Sequence, residues 1–260
     1  MTERRDLLSV ATRAARVGGS TILSAGRVRE GVEKSAGDYV TAVDGASERA
    51  IAGFLSESTP DIPLVGEEGG GTTTDRYWLV DPLDGTTNFL HGFPIVAVSV
   101  ALVEEGRPTV GVVHAPFLHE TYTAASGEGA WAERADGTSV RLEVSRRAVD
   151  RAVVGTGFPF RHKDVLPRYY RALRAALERF EDLRRPGAAA LDLAWVAAGV
   201  FDGFFELALG PWDVAAGTVL IREAGGIVTD WAGALDVSSG DILAGPPGVH
   251  AELLRIAAGA

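Results

Sequence analysis

At 260 residues, with 46% hydrophobic and 23% charged positions, the chain is long enough for one large domain or two moderate ones sharing a core, and wholesale disorder is excluded. A net charge of −10 argues against a nucleic-acid backbone as the main ligand, and the lack of cysteine excludes a disulfide framework, a zinc–thiolate site and a cysteine nucleophile. The N-terminus lacks the basic-then-apolar order of a secretory signal, and the longest apolar run, Ala188 to Phe205, is broken by Asp192 and Asp202, so a cytoplasmic protein without a membrane span is expected.

Leu7 to Val28 carries small apolar residues at helical spacing and predicts an amphipathic helix. Ser35-Ala36-Gly37 reads as a loop, Asp38 to Asp44 as a short strand, and Asp44 as the N-cap of a helix from Ala46 to Leu55. Ile62 to Gly66 is a strand that delivers Glu67 and Glu68, and Tyr77 to Val80 is an apolar, buried strand that delivers Asp81. Strands then follow one another over Ile95 to Val103, Thr109 to Ala115 and Glu120 to Ala124. Trp131 to Glu133 and Ser139 to Val144 form a hairpin across Asp136-Gly137, completing an antiparallel sheet. A composition shift at Ser145-Arg146-Arg147 divides the chain into an N-terminal half, 1–147, and a C-terminal half, 148–260. Beyond it strands and helices alternate: strand Ala152 to Thr156, helix Leu166 to Phe180, strand Glu181 to Arg184, helix Ala189 to Val200, strand Gly203 to Leu207, helix Val214 to Ala224, strands Gly226 to Thr229 and Asp241 to Ala244, and helix Val249 to Ala258.

Chemistry gathers at Asp81-Pro82-Leu83-Asp84-Gly85-Thr86-Thr87-Asn88-Phe89. Two acids three apart flank a proline-stiffened turn, Gly85 permits close backbone approach, and Thr-Thr-Asn suits a helix start whose N–H groups favour an anion. Carboxylates beside a phosphate nest would repel the phosphate, and a divalent metal removes that conflict. Asp-Pro-x-Asp-Gly is equally a good surface turn, and spacing alone leaves the two readings level. The apolar strand before Asp81 and the similar strand before Glu67 favour the metal site, because buried acids need partners. Asp213, in Pro211-Trp212-Asp213, reads as a helix N-cap or as a metal ligand; the two roles are compatible, and the sequence alone slightly favours the cap. The arginines of the Leu166 helix read as a solvated face, and the five histidines show no ligand spacing.

Gly66-Glu67-Glu68, the Asp81 to Phe89 stretch, Trp212-Asp213-Val214-Ala215-Ala216-Gly217 and Glu223-Ala224-Gly225-Gly226 together resemble the signature elements of the inositol monophosphatase family, in that family's order, and Asp38-x-Val40-Thr41-x-x-Asp44 resembles a further one. The resemblance implies an α+β fold, a five-layered α-β-α-β-α sandwich with an antiparallel sheet in the N-terminal half and α/β structure in the C-terminal half. It also implies Mg²⁺-dependent hydrolysis of a small phosphate monoester by a homodimer inhibited by lithium. Carried over by residue, Glu67, Asp81 and the Leu83 carbonyl hold one Mg²⁺, Asp81, Asp84 and Asp213 hold a second, and a third, weaker ion sits by Glu67. Gly85 and Thr86 bind phosphate, while Thr86, Asp44 and Glu67 position and deprotonate the attacking water. The substrate pocket comprises Asp84, Gly85, Thr86, Ala188, Ala189, Glu206 and Asp213.

Two departures bear on the substrate. Lys34 lies nearer the Asp38 element than the family's lysine, and Gly187-Ala188-Ala189 replaces a commoner Gly-Ser/Thr-Ala, removing a hydroxyl. Thr87-Asn88 resembles the inositol monophosphatase branch. Inositol monophosphate or a related polyol phosphate is the leading substrate. The rivals are a histidinol-phosphate, fructose-bisphosphate or 3′-phosphonucleotide phosphatase, and a metal-binding interaction protein of the transcription or ribosome-assembly machinery.

Overall fold

The computed structural model describes residues 2–26, 30–35, 38–236 and 239–260. Residues 36 and 37 of the expected loop, and the side chain of Lys34, lie outside the described residues. The chain opens with helix α1 (Thr2–Ser24), a small antiparallel pair β1 (Val32–Ser35) and β2 (Asp38–Val40), and helix α2 (Ala42–Ser58). Then come β3 (Leu64–Gly66), β4 (Arg76–Asp84), the short helix α3 (Thr86–His91) and the meander β5 (Ala97–Glu104), β6 (Arg107–Ala115), β7 (Glu120–Ala125), β8 (Gly129–Glu133) and β9 (Ser139–Arg141). Strands β3 to β9 form one seven-stranded sheet in sequence order, antiparallel except for the parallel β3–β4 pair.

The second half supplies β10 (Val153–Thr156), α4 (Leu166–Arg179), β11 (Asp182–Arg184), α5 (Ala189–Ala197), β12 (Gly203–Glu206), α6 (Pro211–Glu223), β13 (Ile227–Thr229), β14 (Ile242–Gly245) and α7 (Pro247–Ala258). Its strands form a five-stranded mixed sheet of order β11-β10-β12-β14-β13. Three apolar clusters separate five layers. Leu7, Ala11 and Ile22 of α1 and Ile51 and Leu55 of α2 meet one face of the large sheet. Helices α5 and α6 fill the space between the two sheets, and Tyr169, Ala172 and Ala176 of α4 with Val249 and Leu253 of α7 cover the outer face of the small sheet. The α-β-α-β-α sandwich follows.

The period-2 alternation of strands explains how one chain serves both faces. In β5, Val98, Val100 and Leu102 face α1 and α2, while Ala97, Ala101 and Val103 face α5 and α6. The small residues on the inner face let α6, with its Ala215-Ala216-Gly217 run, lie close to the sheet. Burying each larger aliphatic side chain contributes roughly 1.5–3 kcal/mol, so this two-sided core is the main source of stability.

Two boundaries differ from expectation for a physical reason. Asp44 is not the N-cap of α2: Thr41 is, its hydroxyl accepting from Val43 N, while Asp44 reaches back to Thr41 N at 2.8 Å. Asp213 likewise lies one turn into α6 and accepts from Gly210 N at 2.7 Å. In both, an acid three residues beyond the cap satisfies the cap's own N–H, the reciprocal half of a capping box, so the acid stands inside the helix instead of at its cap. The strand reading of Asp38 to Asp44 therefore ends at Val40.

Candidate active site

The strand β4 does not end at Val80 but continues through Asp84, so the expected turn is a strand with an irregularity in it. Leu79 faces α5 and α6, and alternation sends Asp81 the same way. Three residues on, regular alternation would put Asp84 on the opposite face. Instead the register shifts between Asp81, opposite Ser99, and Asp84, opposite Ala97. The extra residue restores Asp84 to the inner face, with Leu83 turned to the α1–α2 core. The proline within the stretch costs no ladder bond where the ladder is already broken.

The start of α6 is brought to the same spot by the neighbouring strand. Ser99 Oγ donates to Trp212 O at 2.9 Å, fixing the first turn of α6 beside Asp81. Consequently Asp81, Asp84 and Asp213 each present a carboxylate oxygen within 4.8 Å of the others. At that separation two carboxylates repel by about 3–4 kcal/mol at an effective dielectric near 20. Burial, followed by the charges of Glu67, Asp84 and Asp213, pushes the Asp81 carboxyl well above the usual carboxylate range. Burial also raises Asp84 and Asp213, and Asp84 adds to the shift of Asp213.

Backbone N–H groups aim these acids. Leu83 N donates to Asp81 Oδ1 at 2.9 Å, and Ala190 N donates to Asp84 Oδ2 at 2.8 Å. The second bond means that Asp84, from the N-terminal half, caps α5, whose own cap residue Ala188 offers no side-chain acceptor. Glu67 follows β3, is held through its N–H to Val80 O at 3.1 Å, and lines the same cavity. The donor set is all oxygen: carboxylates plus the Leu83 carbonyl. Hard divalent cations such as Mg²⁺ suit such a set, and soft transition metals do not. The clustered like charges and the donor chemistry therefore fit a divalent metal.

Thr86 Oγ1 lies 3.0 Å from Asp44 Oδ1 and 3.2 Å from Leu83 O, so the threonine joins α2 to the acidic stretch. Gly85, at φ +89°, is left-handed and packs against Ile95 O, Ala188 and Gly187 O, with no room for a Cβ. The cavity of about 440 Å³ that opens from these residues is closed on its far side by Ala188, Ala189, Glu206, Arg185, Asp192 and the Phe158–Lys163 segment. All the predicted site residues except the helix cap roles thus converge: Asp81, Leu83, Asp84, Gly85, Thr86, Glu67, Ala188, Ala189, Glu206 and Asp213 line it, and Asp44 reaches it through Thr86. Burial, with the charge of Asp213 next, raises Glu206 to about 8.

Sequence reasoning missed several lining groups. Arg185 stacks its guanidinium 5.5 Å from the centroids of both Phe158 and Phe160. Asp192 is buried, its Oδ1 accepts no hydrogen bond, and desolvation together with Asp84 and Glu206 pushes it well above the usual range. The available signal was its position as the acid inside the otherwise apolar helix α5. Asp202, the other acid that breaks the apolar run, is structural: it accepts from Val153 N at 2.7 Å and pairs with Arg147 at 3.2 Å. Asn88, which the sequence marks only through the motif and the branch it resembles, has a structural task as well. Its amide donates to Ile95 O at 2.7 Å and Pro186 O at 2.9 Å, joining the acidic stretch to the pocket wall.

Fold and site together define a layered sandwich with an acidic, oxygen-donor centre at the junction of its two sheets. Residues 3–258 match the model of the inositol monophosphatase family, and the chain belongs to that family. Among its relatives is the Nus factor SuhB of Haemophilus influenzae, 42% identical over 96% of this chain and 94% of the relative. The Nus factor SuhB of Pseudomonas aeruginosa is also 42% identical, over 92% and 91%. The inositol monophosphatase of Anabaena superimposes with a TM-score of 0.88 at 33% identity, covering 98% of this chain and 96% of that one. The extragenic suppressor protein suhB of Bartonella henselae gives 0.88 at 38%, covering 96% and 97%. Among the described residues no helix is long and apolar enough to cross a membrane.

Proposed function

We propose that the protein is a Mg²⁺-dependent phosphatase that hydrolyses a small phosphate monoester of a polyol, inositol monophosphate first among them. The observation that carries this is the convergence of Asp81, Asp84 and Asp213 within 4.8 Å on a cavity that also contains the Thr86–Asp44 pair. Glu67, Asp81 and the Leu83 carbonyl would hold one ion and Asp81, Asp84 and Asp213 a second, with a third, weaker position beside Glu67. Bound ions supply charge neutralisation for the phosphoryl group and lower the pKa of the attacking water. The Thr86 hydroxyl donates a hydrogen bond to Asp44, which leaves the threonine oxygen free to accept a hydrogen bond from that water and orient it. Gly85 and Thr86 present backbone N–H groups to the phosphate. Glu206, whose carboxyl burial and the charge of Asp213 push up to about 8, faces the cavity where a substrate hydroxyl would hydrogen-bond to it, and the methyl groups of Ala188 and Ala189 shape the wall beside it.

Phosphate release from a panel of inositol phosphates, histidinol phosphate, fructose bisphosphate and a 3′-phosphonucleotide, with and without Mg²⁺, tests the reading. Release from the inositol phosphates that depends on Mg²⁺ supports it. Preference for another panel member moves the substrate but keeps the chemistry. The names of the SuhB relatives favour a second reading, an interaction with the transcription apparatus. Metal binding without release on any substrate would favour that second role.

A further inference from the structure

One turn of α2 holds the segments that carry the acidic centre at three separate places. Asp44, Ser47 and Glu48 stand at i, i+3 and i+4, on a single helix face, and all three are buried. Asp44 accepts from Thr86 Oγ1, just beyond the strand that carries Asp81 and Asp84. Ser47 Oγ donates to Pro82 O at 2.9 Å, between those two acids. Glu48 reaches the other strand: its Oε2 accepts from Glu68 N at 2.9 Å and its Oε1 from Gly69 N at 2.6 Å. The turn that Glu48 grips is closed at its base by the Gly66–Gly70 pair, at 2.9 and 3.1 Å. A Cβ on Gly66 would run into the Glu48 carboxylate, so the backbone is glycine where the carboxylate presses against it. Glu67 sits between the base and the two gripped N–H groups, its own N–H donates to Val80 O at 3.1 Å, and its backbone is thus held on both sides while its side chain lines the cavity.

We propose that Glu48 is a positioning residue that sets Glu67 for divalent-metal binding, with α2 serving as the common gauge for both ligand-bearing strands. The inference rests on the reading of Glu67 as a metal ligand. Glu48 lines neither the cavity nor the cluster of three aspartates. It acts by accepting two consecutive N–H groups with its two oxygens, a task that requires a carboxylate. In Glu48→Gln one oxygen becomes an NH₂ facing an N–H, and one of the two bonds is lost.

The test is Mg²⁺ binding to the full chain without substrate, by titration calorimetry, alongside amide hydrogen exchange. Relative to the unchanged protein, E48Q is expected to bind Mg²⁺ about 10–100-fold more weakly at one site, the range for groups that orient metal ligands. The Glu68 and Gly69 amides should exchange faster. Glu67→Gln should lose the same site, and the double variant should lose no more than the single one, because Glu48 acts only through Glu67. Wild-type Mg²⁺ affinity in E48Q, or losses that add in the double variant, would overturn the proposal. If the unchanged protein binds no divalent ion, the metal reading itself fails, and the role of Glu48 fails with it. Should E48Q not fold, Glu48→Asp, which keeps the charge but withdraws both oxygens by one methylene, carries the same cycle.

Discussion

The two ends of the cavity are built on different principles. At the acidic end, Asp81, Asp84 and Asp213 come from strand and helix positions and are aimed by backbone N–H donors, and Glu67 stands in the turn directly after β3. Such groups hold their geometry because moving them means breaking a ladder or a helix start. At the opposite end, Phe158, Phe160, Arg161 and Arg185 come from connecting segments and are held by stacking and charge, and Ala188 and Ala189 contribute only methyl groups. On the proposed function, chemistry falls to the rigid end and substrate choice to the opposite one, in keeping with the general tendency of connecting segments to vary on a fixed scaffold.

Substitution at the rigid end should produce the largest effect. Asp84→Asn is expected to lower kcat/KM by at least about 1,000-fold while retaining the fold, because the amide oxygen can still accept from Ala190 N. Asp84→Ala should lose the same activity and, in addition, about 1 kcal/mol of stability as α5 loses its cap. Near wild-type turnover of Asp84→Asn at saturating Mg²⁺ would remove the distinction between the two ends.

Metal should matter next. With Mg²⁺ at about 100 times its dissociation constant, linkage contributes about 2.7 kcal/mol, which for a chain of this size raises Tm by roughly 5–10 °C in a thermal melt. No shift on adding Mg²⁺ or EDTA would show that the acids do not bind it. The same groups set the pH dependence of the metal-free protein. Asp81, Asp84, Asp213 and Glu206 all have carboxyls raised on folding, so between the unfolded carboxylate range near 4 and the Glu206 value of about 8 the native state binds more protons than the unfolded one. Stability should therefore fall as pH rises through that window, and saturating Mg²⁺ should abolish or reverse the slope. A metal-free Tm that rises from pH 5 to pH 8 would contradict the clustered-charge account.

Smaller effects belong to the opposite wall, where Glu206 ends β12 and Ala188 precedes α5. Glu206→Gln is expected to raise KM for inositol monophosphate about tenfold while leaving turnover of p-nitrophenyl phosphate, which lacks ring hydroxyls, within about twofold. Equal losses on both would place Glu206 in the chemistry instead. Ala188→Ser, restoring a hydroxyl to the wall, should change the ratio of kcat/KM between polyol phosphates by only a few-fold, the scale of one added group in a pocket. A change of 100-fold or more would mean that the wall governs more than fit.

Element identity was legible wherever local pattern and tertiary use agreed. The apolar Tyr77 to Val80 run is a buried strand, and the Leu166 helix begins where its pattern begins. Agreement failed where a side chain served two purposes. Asp44 and Asp213 look like N-caps because acids at helix starts usually are, yet each instead satisfies the cap residue's own N–H. The Asp-Pro-x-Asp-Gly stretch looks like a turn because its residues favour one, and only its pairing with Ser99 and Ala97 makes it a strand. Asp192 was visible as an acid in an apolar helix, but nothing local says that it faces a cavity.

Residue types and their order along the chain suffice to single out the acids, to place Glu67 just after one strand and Asp81 next to the apolar run of another, and, through motifs occurring together in one order, to indicate the family. The meeting of these acids is a property of three-dimensional packing alone. A register shift of one residue puts Asp81 and Asp84 on the same face, Ser99 brings α6 and Asp213 alongside, and one face of α2 gauges both strands through Asp44, Ser47 and Glu48. Each of these contacts joins residues far apart in the chain, where neither periodicity nor local propensity carries information.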